Sequence, residues 1–143
     1  NIVKSSTTGA VTSTMTLETY TATITVANGA TTGKESAVGI PANFIPMGVT
    51  VAVTTASTNS VTLNDIGTDA DTDGYVDGIS PALNTTGFKG FFGCNGVLGM
   101  SGFTTASSGL VGDEVELVVS GDPGSDTVIV LKFFGISSSS DAS

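Results

Sequence analysis

Apolar residues along this chain recur at a period of two, the spacing of an extended strand with one covered face. Val11, Ser13, Met15 and Leu17 share one face, and Tyr20, Ala22, Ile24 and Val26 share one after it. The phase changes near Glu18 and Thr19, which predicts a bulge or corner there. Val49, Val51 and Val53 alternate in the same way, followed by Val61, Leu63 and Asp65. Thr55 to Ser60 reads as a turn between those two runs, so together they predict a hairpin. Glu114 and Glu116 alternate with Val115, Leu117 and Val119, the pattern of a half-buried strand with a wet face. Gly121, Asp122, Pro123 and Gly124 then supply turn residues. The last run, Thr127 to Ile136, is apolar on both faces: Ile129, Leu131 and Phe133 on one, Val128, Val130 and Phe134 on the other. Such a strand is either central and covered, or sits at a contact between subunits. No stretch sustains apolar spacing at i, i+3, i+4 and i+7 with caps, so any helix is limited to a turn or two.

These runs predict an all-β fold of about eight short strands, an antiparallel β-sandwich of jelly-roll type. Thr, Val and Ile account for 47 of 143 residues, and β-branched side chains fit a pleated sheet better than a helix. The length fits one domain. We place it at residues 11–136, after an N-terminal arm at 1–10. A serine-rich tail at 137–143 lacks an apolar anchor and reads as a flexible end.

Charge changes the picture by exclusion. There are 13 acids, four lysines, no arginine and no histidine, for a formal net charge of -9. Without histidine, Ser-His-Asp and Cys-His catalysis and His-ligated zinc are impossible. A chain this acidic, with only four scattered lysines, would be repelled by phosphates, so nucleic acid and anionic membranes are not expected partners. No apolar stretch approaches the roughly 20 residues of a membrane-spanning helix. Asn1 is not followed by the basic and apolar regions of a signal peptide. Cys94 is the lone cysteine, so no intrachain disulfide forms, and a small buried hydrophobe is its simplest role.

Two segments carry candidate chemistry. Asp69, Asp71, Asp73, Gly74 and Asp77 match positions 1, 3, 5, 6 and 9 of a calcium-binding EF-type loop, because alternate carboxylates with a glycine at the bend can wrap a hard cation. Asp69, Asp71, Asp73 and Asp77 are the candidate ligands, with the Tyr75 carbonyl beside them. Position 12 is Ser80 rather than a bidentate glutamate, and neither flank is helical, so a solvated acidic loop with an Asp73-Gly74 turn is the simpler reading. The second segment is a glycine period of three: Gly87, Gly90, Gly93, Gly96, Gly99 and Gly102, interleaved with Phe88, Phe91, Phe92, Val97, Leu98 and Met100. It reads either as an irregular loop whose phenylalanines fill the core or as a polyproline-II-like edge packed at a subunit contact. Phe88, Phe91, Phe92, Val97, Leu98, Phe133 and Phe134 are the candidate contact residues. Carboxylate pairs such as Glu114 with Glu116 look solvated, and no catalytic constellation emerges, so the chain reads as non-enzymatic. Asn84, Thr85 and Thr86 fit a glycosylation triplet that any threonine-rich chain produces by chance.

The alternating valines from Val49 to Thr54, the run VTLNDIGTDADTDGYVDG from Val61 to Gly78 and the strand from Thr127 to Ile136 resemble the small β-rich decoration, or cement, proteins of tailed bacteriophage heads. The resemblance is one of style and carries no diagnostic motif. It implies a jelly-roll or sandwich domain, often a homotrimer, bound on the outer capsid surface across contacts between major capsid proteins. The alternative is a secreted or cell-surface module such as an adhesin, pilus or S-layer subunit, in which a calcium loop would be equally at home.

Overall fold

The computed structural model describes residues 2–3, 14–36, 39–41, 44–94 and 114–138. Eight strands run through them: β1 (Ile2–Val3), β2 (Thr14–Val26), β3 (Thr32–Lys34), β4 (Phe44–Thr55), β5 (Leu63–Gly67), β6 (Gly87–Gly93), β7 (Glu116–Val119) and β8 (Thr127–Ser138). All pairings are antiparallel. Seven strands form one continuous path, β5-β7-β3-β2-β8-β4-β6, with β1 added on β2. The described residues contain no helix, so the expectation of an all-β protein holds. The hydrogen bonds draw one sheet rather than two separate ones.

That sheet is strongly curled. Three strands separate β5 from β8, which in a flat sheet would put them roughly 19 Å apart at 4.7–4.9 Å per strand. Yet Tyr75, whose backbone N–H bonds Ile66 of β5, lays its ring edge-on to Phe133 of β8 at a centroid distance of 5.3 Å. The path therefore bends into a half-barrel whose concave side holds the core. Ala22, Ile24 and Val26 of β2, Val49, Val51 and Val53 of β4, Leu63 and Ile66 of β5, Leu117 of β7 and Ile129, Leu131 and Phe133 of β8 all lie there, none more than 2% exposed. Gly33 lets the short β3 lie close on β2, since a Cβ there would stand 2.6 Å from the Thr25 carbonyl oxygen.

β8 is central, between β2 and β4, which explains its two apolar faces: Ile129, Leu131 and Phe133 are buried, while Val128, Val130 and Phe134 are half-buried. Four local expectations are corrected. No bulge occurs at Glu18 and Thr19, because β2 keeps unbroken register with β8 from Met15↔Ser138 to Val26↔Thr127. The phase change there is one of side chains: Leu17 sits 58% exposed on the convex face. β4 and β5 form no hairpin; β4 pairs with β6 and β8, and β5 with β7. Glu116 does not face water, being only 8% exposed. Residues 87–93 of the glycine period are a β-strand rather than a loop or polyproline-II edge, and Gly96, Gly99 and Gly102 lie outside the described residues. At the termini, Ile2 and Val3 of the N-terminal arm pair with Met15 and Thr14, and β8 runs to Ser138, past the expected start of the tail.

Three connections meet at one end of the half-barrel. The Thr58 and Asn59 N–H groups both donate to the Pro123 carbonyl at 3.0 Å. Asp122 Oδ1 accepts the Gly29 and Gly124 N–H groups, each at 2.8 Å. Those bonds hold the Asp122 carboxyl below its usual range.

Candidate functional site

The convex face of β2, β8, β4 and β6 carries the exposed apolar side chains Leu17, Phe88 and Phe91. Its β2 stripe is Leu17, Thr19, Thr21, Thr23 and Thr25, all exposed. Register places Thr21 beside Lys132 and Lys132 beside Thr50, then Thr23 beside Val130 and Val130 beside Ala52. Phe88 and Phe91 of the edge strand β6 pair with Ala52 and Thr50 and are 69% and 59% exposed. Phe91 packs over Gly48, where a Cβ would collide with its ring, and its ring centroid lies 6.1 Å from that of Phe134. β4, β6 and β8 contain no acidic residue, and Glu18 of β2 shares the opposite face with Tyr20 and Ala22. The result, among the described residues, is an aromatic, threonine-rich surface carrying lysine and no carboxylate on a protein of net charge -9.

The predicted contact residues thus divide. Phe88, Phe91 and Phe134 come together on this face. Phe92 pairs with Val49 and packs, half-buried, against the core with Cys94, whose thiol burial pushes up to about 12. Phe133 is 0% exposed, so it belongs to the interior and not to a surface. Val97 and Leu98 lie outside the described residues.

The acidic loop follows β5 and folds back on its end. Gly67 permits this, since a Cβ there would stand 2.5 Å from the Thr72 carbonyl carbon, and Thr68 and Asp71 exchange backbone hydrogen bonds at 2.9 and 3.2 Å. Asp69 forms an ion pair with Lys34 of β3, which holds its carboxyl below the usual range, with help from a hydrogen bond to Glu116. Burial and the neighbouring Asp73 carboxylate raise Asp71. Asp77 is exposed. Among the described residues no group of three or more His, Cys, Asp or Glu side chains is placed to hold a metal ion.

Sequence reasoning missed a buried carboxylate next to this loop. Glu35, 5% exposed, accepts the Tyr20 hydroxyl at 3.0 and 3.1 Å and the Val115 N–H at 3.0 Å. The Glu35 N–H donates in return to the Val115 carbonyl at 3.0 Å. Burial, then the Glu35 charge, pushes the Tyr20 phenol up to about 12. Glu35 follows Lys34 in sequence, and such a charged dipeptide reads as solvated; only the strand order brings Tyr20, Glu35 and Val115 together.

No family model matches the chain, and no curated protein matches it. Among solved structures, a chain of the Cyanophage Pam1 capsid asymmetric unit is similar, with a TM-score of 0.50 and 16% identity over 85% of this chain and 85% of that one. At that identity the likeness is one of fold. The chain is a small all-β protein that shares its fold with a chain of a phage capsid.

Proposed function

We propose that this protein is a non-enzymatic structural subunit of a phage head, a decoration or cement protein that binds the outer capsid surface and bridges major capsid proteins. The observation that carries the reading is the edge formed by exposed Phe88 and Phe91, with half-buried Phe134 against Phe91, on a fold like that of a phage capsid chain. Large aromatics in a contiguous exposed patch favour association, because covering them removes apolar area from water. A contact of standard size takes about 800 Å² from each partner. Added at many subunit seams, such contacts resist expansion collectively, even where each is weak. A jelly-roll closure and a homotrimer are the finer features this reading includes. A calcium ion on Asp69, Asp71, Asp73 and Asp77 is a further element of it; a melting midpoint that does not change between calcium and a chelator excludes the ion.

The test is co-sedimentation of the purified protein with undecorated heads of the phage that encodes it. The wild type is expected to saturate the heads at a fixed ratio, and the Phe88→Ser/Phe91→Ser variant to lose binding at least tenfold while its urea midpoint stays near wild type. Binding that survives this double change removes the proposed surface. A protein that ignores heads and instead binds glycans or polymerises supports the cell-surface alternative.

A further inference from the structure

The described charges are segregated across the sheet. The acidic loop from Asp69 to Asp77 follows β5, and Glu114 and Glu116 lie before and in β7. Of the three described lysines, Lys34 is paired with Asp69 at that acidic end. Lys89 and Lys132 lie on β6 and β8, with no ion-pair partner among the described residues. Lys132 is exposed in the middle of the convex face. Register sets it between Thr21 and Thr50, with Phe91 beyond Thr50, and Val130 and Phe134 flank it along β8. Lys89 stands in the β6 bulge between Phe88 and Gly90, where its amine donates to the Thr85 hydroxyl at 2.6 Å. Lys132 is therefore a charge without a counter-charge, set among threonines and apolar side chains on a face that the fold leaves uncovered.

We propose that this face docks into a concave seam of the phage head that presents a carboxylate to Lys132; the inference rests on the capsid reading and names what the head contributes to the contact. Shape, charge and size each point to that partner. Two copies of a convex face would touch along a line and bury little, whereas a concave seam follows the curve of the half-barrel. Two copies would also set lysine against lysine on chains of net charge -9 each. A phosphate backbone is repelled by the same net charge, but a protein surface can place one carboxylate opposite one amine. Four strands at about 4.8 Å each and the nine residues from Leu17 to Thr25 at about 3.4 Å each give a footprint of roughly 600 Å². Side-chain relief brings that near the roughly 800 Å² that a standard contact takes from each partner. Once the seam covers Phe88, Phe91 and the threonine rows, water is excluded from around Lys132, and a pair formed there outweighs an exposed one. Lys132 thereby sets which seam is accepted, because a surface with a cation at that place is rejected.

The test is the affinity of the purified full chain for undecorated heads of the phage that encodes it. Lys132→Glu sets carboxylate against carboxylate and is expected to weaken binding roughly a hundredfold, and Lys132→Met roughly tenfold. Lys34→Met removes the same charge at the far end of the sheet and is expected to bind as the wild type does. Both lysines are exposed, so all three variants should keep urea midpoints near wild type. Raising the salt from about 0.01 M to about 1 M cuts the screening length from roughly 30 Å to roughly 3 Å and should narrow the gap between wild type and Lys132→Met. Heads that take up wild type and Lys132→Glu alike overturn the carboxylate partner and leave the capsid reading standing. An equal loss in Lys34→Met also overturns it, since net charge would then be the cause. So does a gap that salt does not narrow, which would reduce Lys132 to the packing of its stem. A wild type that binds no heads removes the capsid reading and this inference together. Self-association of the wild type that Lys132→Glu abolishes would give the face to the acidic end of a second copy and overturn the head as its occupant.

Discussion

The two ends of the strand path are built on opposite principles. At the β5-β7-β3 end, carboxylates are held by polar partners: Glu35, buried, by Tyr20 and Val115, and Asp69, at the surface, by Lys34. At the β4-β6 end, Phe88 and Phe91 point outward, with no carboxylate on their face among the described residues. A buried polar group is stable only in one arrangement of partners, so the first end fixes geometry. An exposed aromatic edge gains by being covered, so the second end favours contact. Strand β8 joins the two, with Phe133 under Tyr75 on the concave side and Phe134 against Phe91 on the convex side.

The largest expected effect comes from cutting that junction on its concave side. Phe133→Ala removes a fully buried ring that touches Tyr75 and Tyr20, at a cost of about 3–5 kcal/mol. The urea midpoint should fall accordingly, with the slope unchanged. Phe134→Ala, one residue on, removes a half-buried ring from the convex side and should cost about 1 kcal/mol or less. Equal costs for the two would mean that the convex face is as tightly packed as the core, and the contrast between the ends would fail.

Next comes the polar end itself. Glu35→Ala leaves the Tyr20 hydroxyl and the Val115 N–H without their acceptor, and an orphaned buried donor costs about 1–3 kcal/mol. Glu35→Gln keeps an acceptor oxygen and should recover at least half of the loss, read again as the urea midpoint. A Glu35→Ala protein as stable as wild type would show that this end is held by apolar packing alone.

Much of the strand content was legible, because period-two alternation is local: Val49, Val51 and Val53 are inward as their spacing implies, as are Ile129, Leu131 and Phe133. Strand partners were not legible in the same way. The turn after Thr55 shows that the chain bends, but β5 crosses to the far end of the sheet, and nothing in residues 55–62 encodes that destination. The same limit hid the polar end. Lys34, Asp69 and Glu116 are separately ordinary surface residues, and only the order β5-β7-β3 makes them neighbours. Glu116 was misjudged because alternation assigns it the polar face, while pairing on both sides, with Lys34 of β3 and Gly67 of β5, leaves it only 8% exposed. The contact surface was legible in its aromatic content at 88–92 but not in its division: pairing across the bulge at Val51 and Ala52 sends Phe88 and Phe91 outward and Phe92 inward.

The smallest effect separates the polar end by pH. Burial, reinforced by the Glu35 charge, pushes the Tyr20 phenol up to about 12 from the ordinary value of 10.0. Between those two values the unfolded chain releases the proton while the folded protein keeps it. The folded state then binds more protons, so stability falls as pH rises through this window and is fully present below it. Tyr20→Phe removes the phenol and, with it, this share of the alkaline loss, though it also removes one hydrogen bond to Glu35 at every pH. In urea titrations from pH 9 to pH 12, the gap between wild type and Tyr20→Phe should therefore be constant up to about pH 10 and narrow above it. Tyr75 and Cys94 are common to both proteins and cancel from that difference. A gap that stays constant to pH 12 would show that Tyr20 titrates alike in both states. Glu35 would then lie in a more hydrated place than the curled sheet gives it.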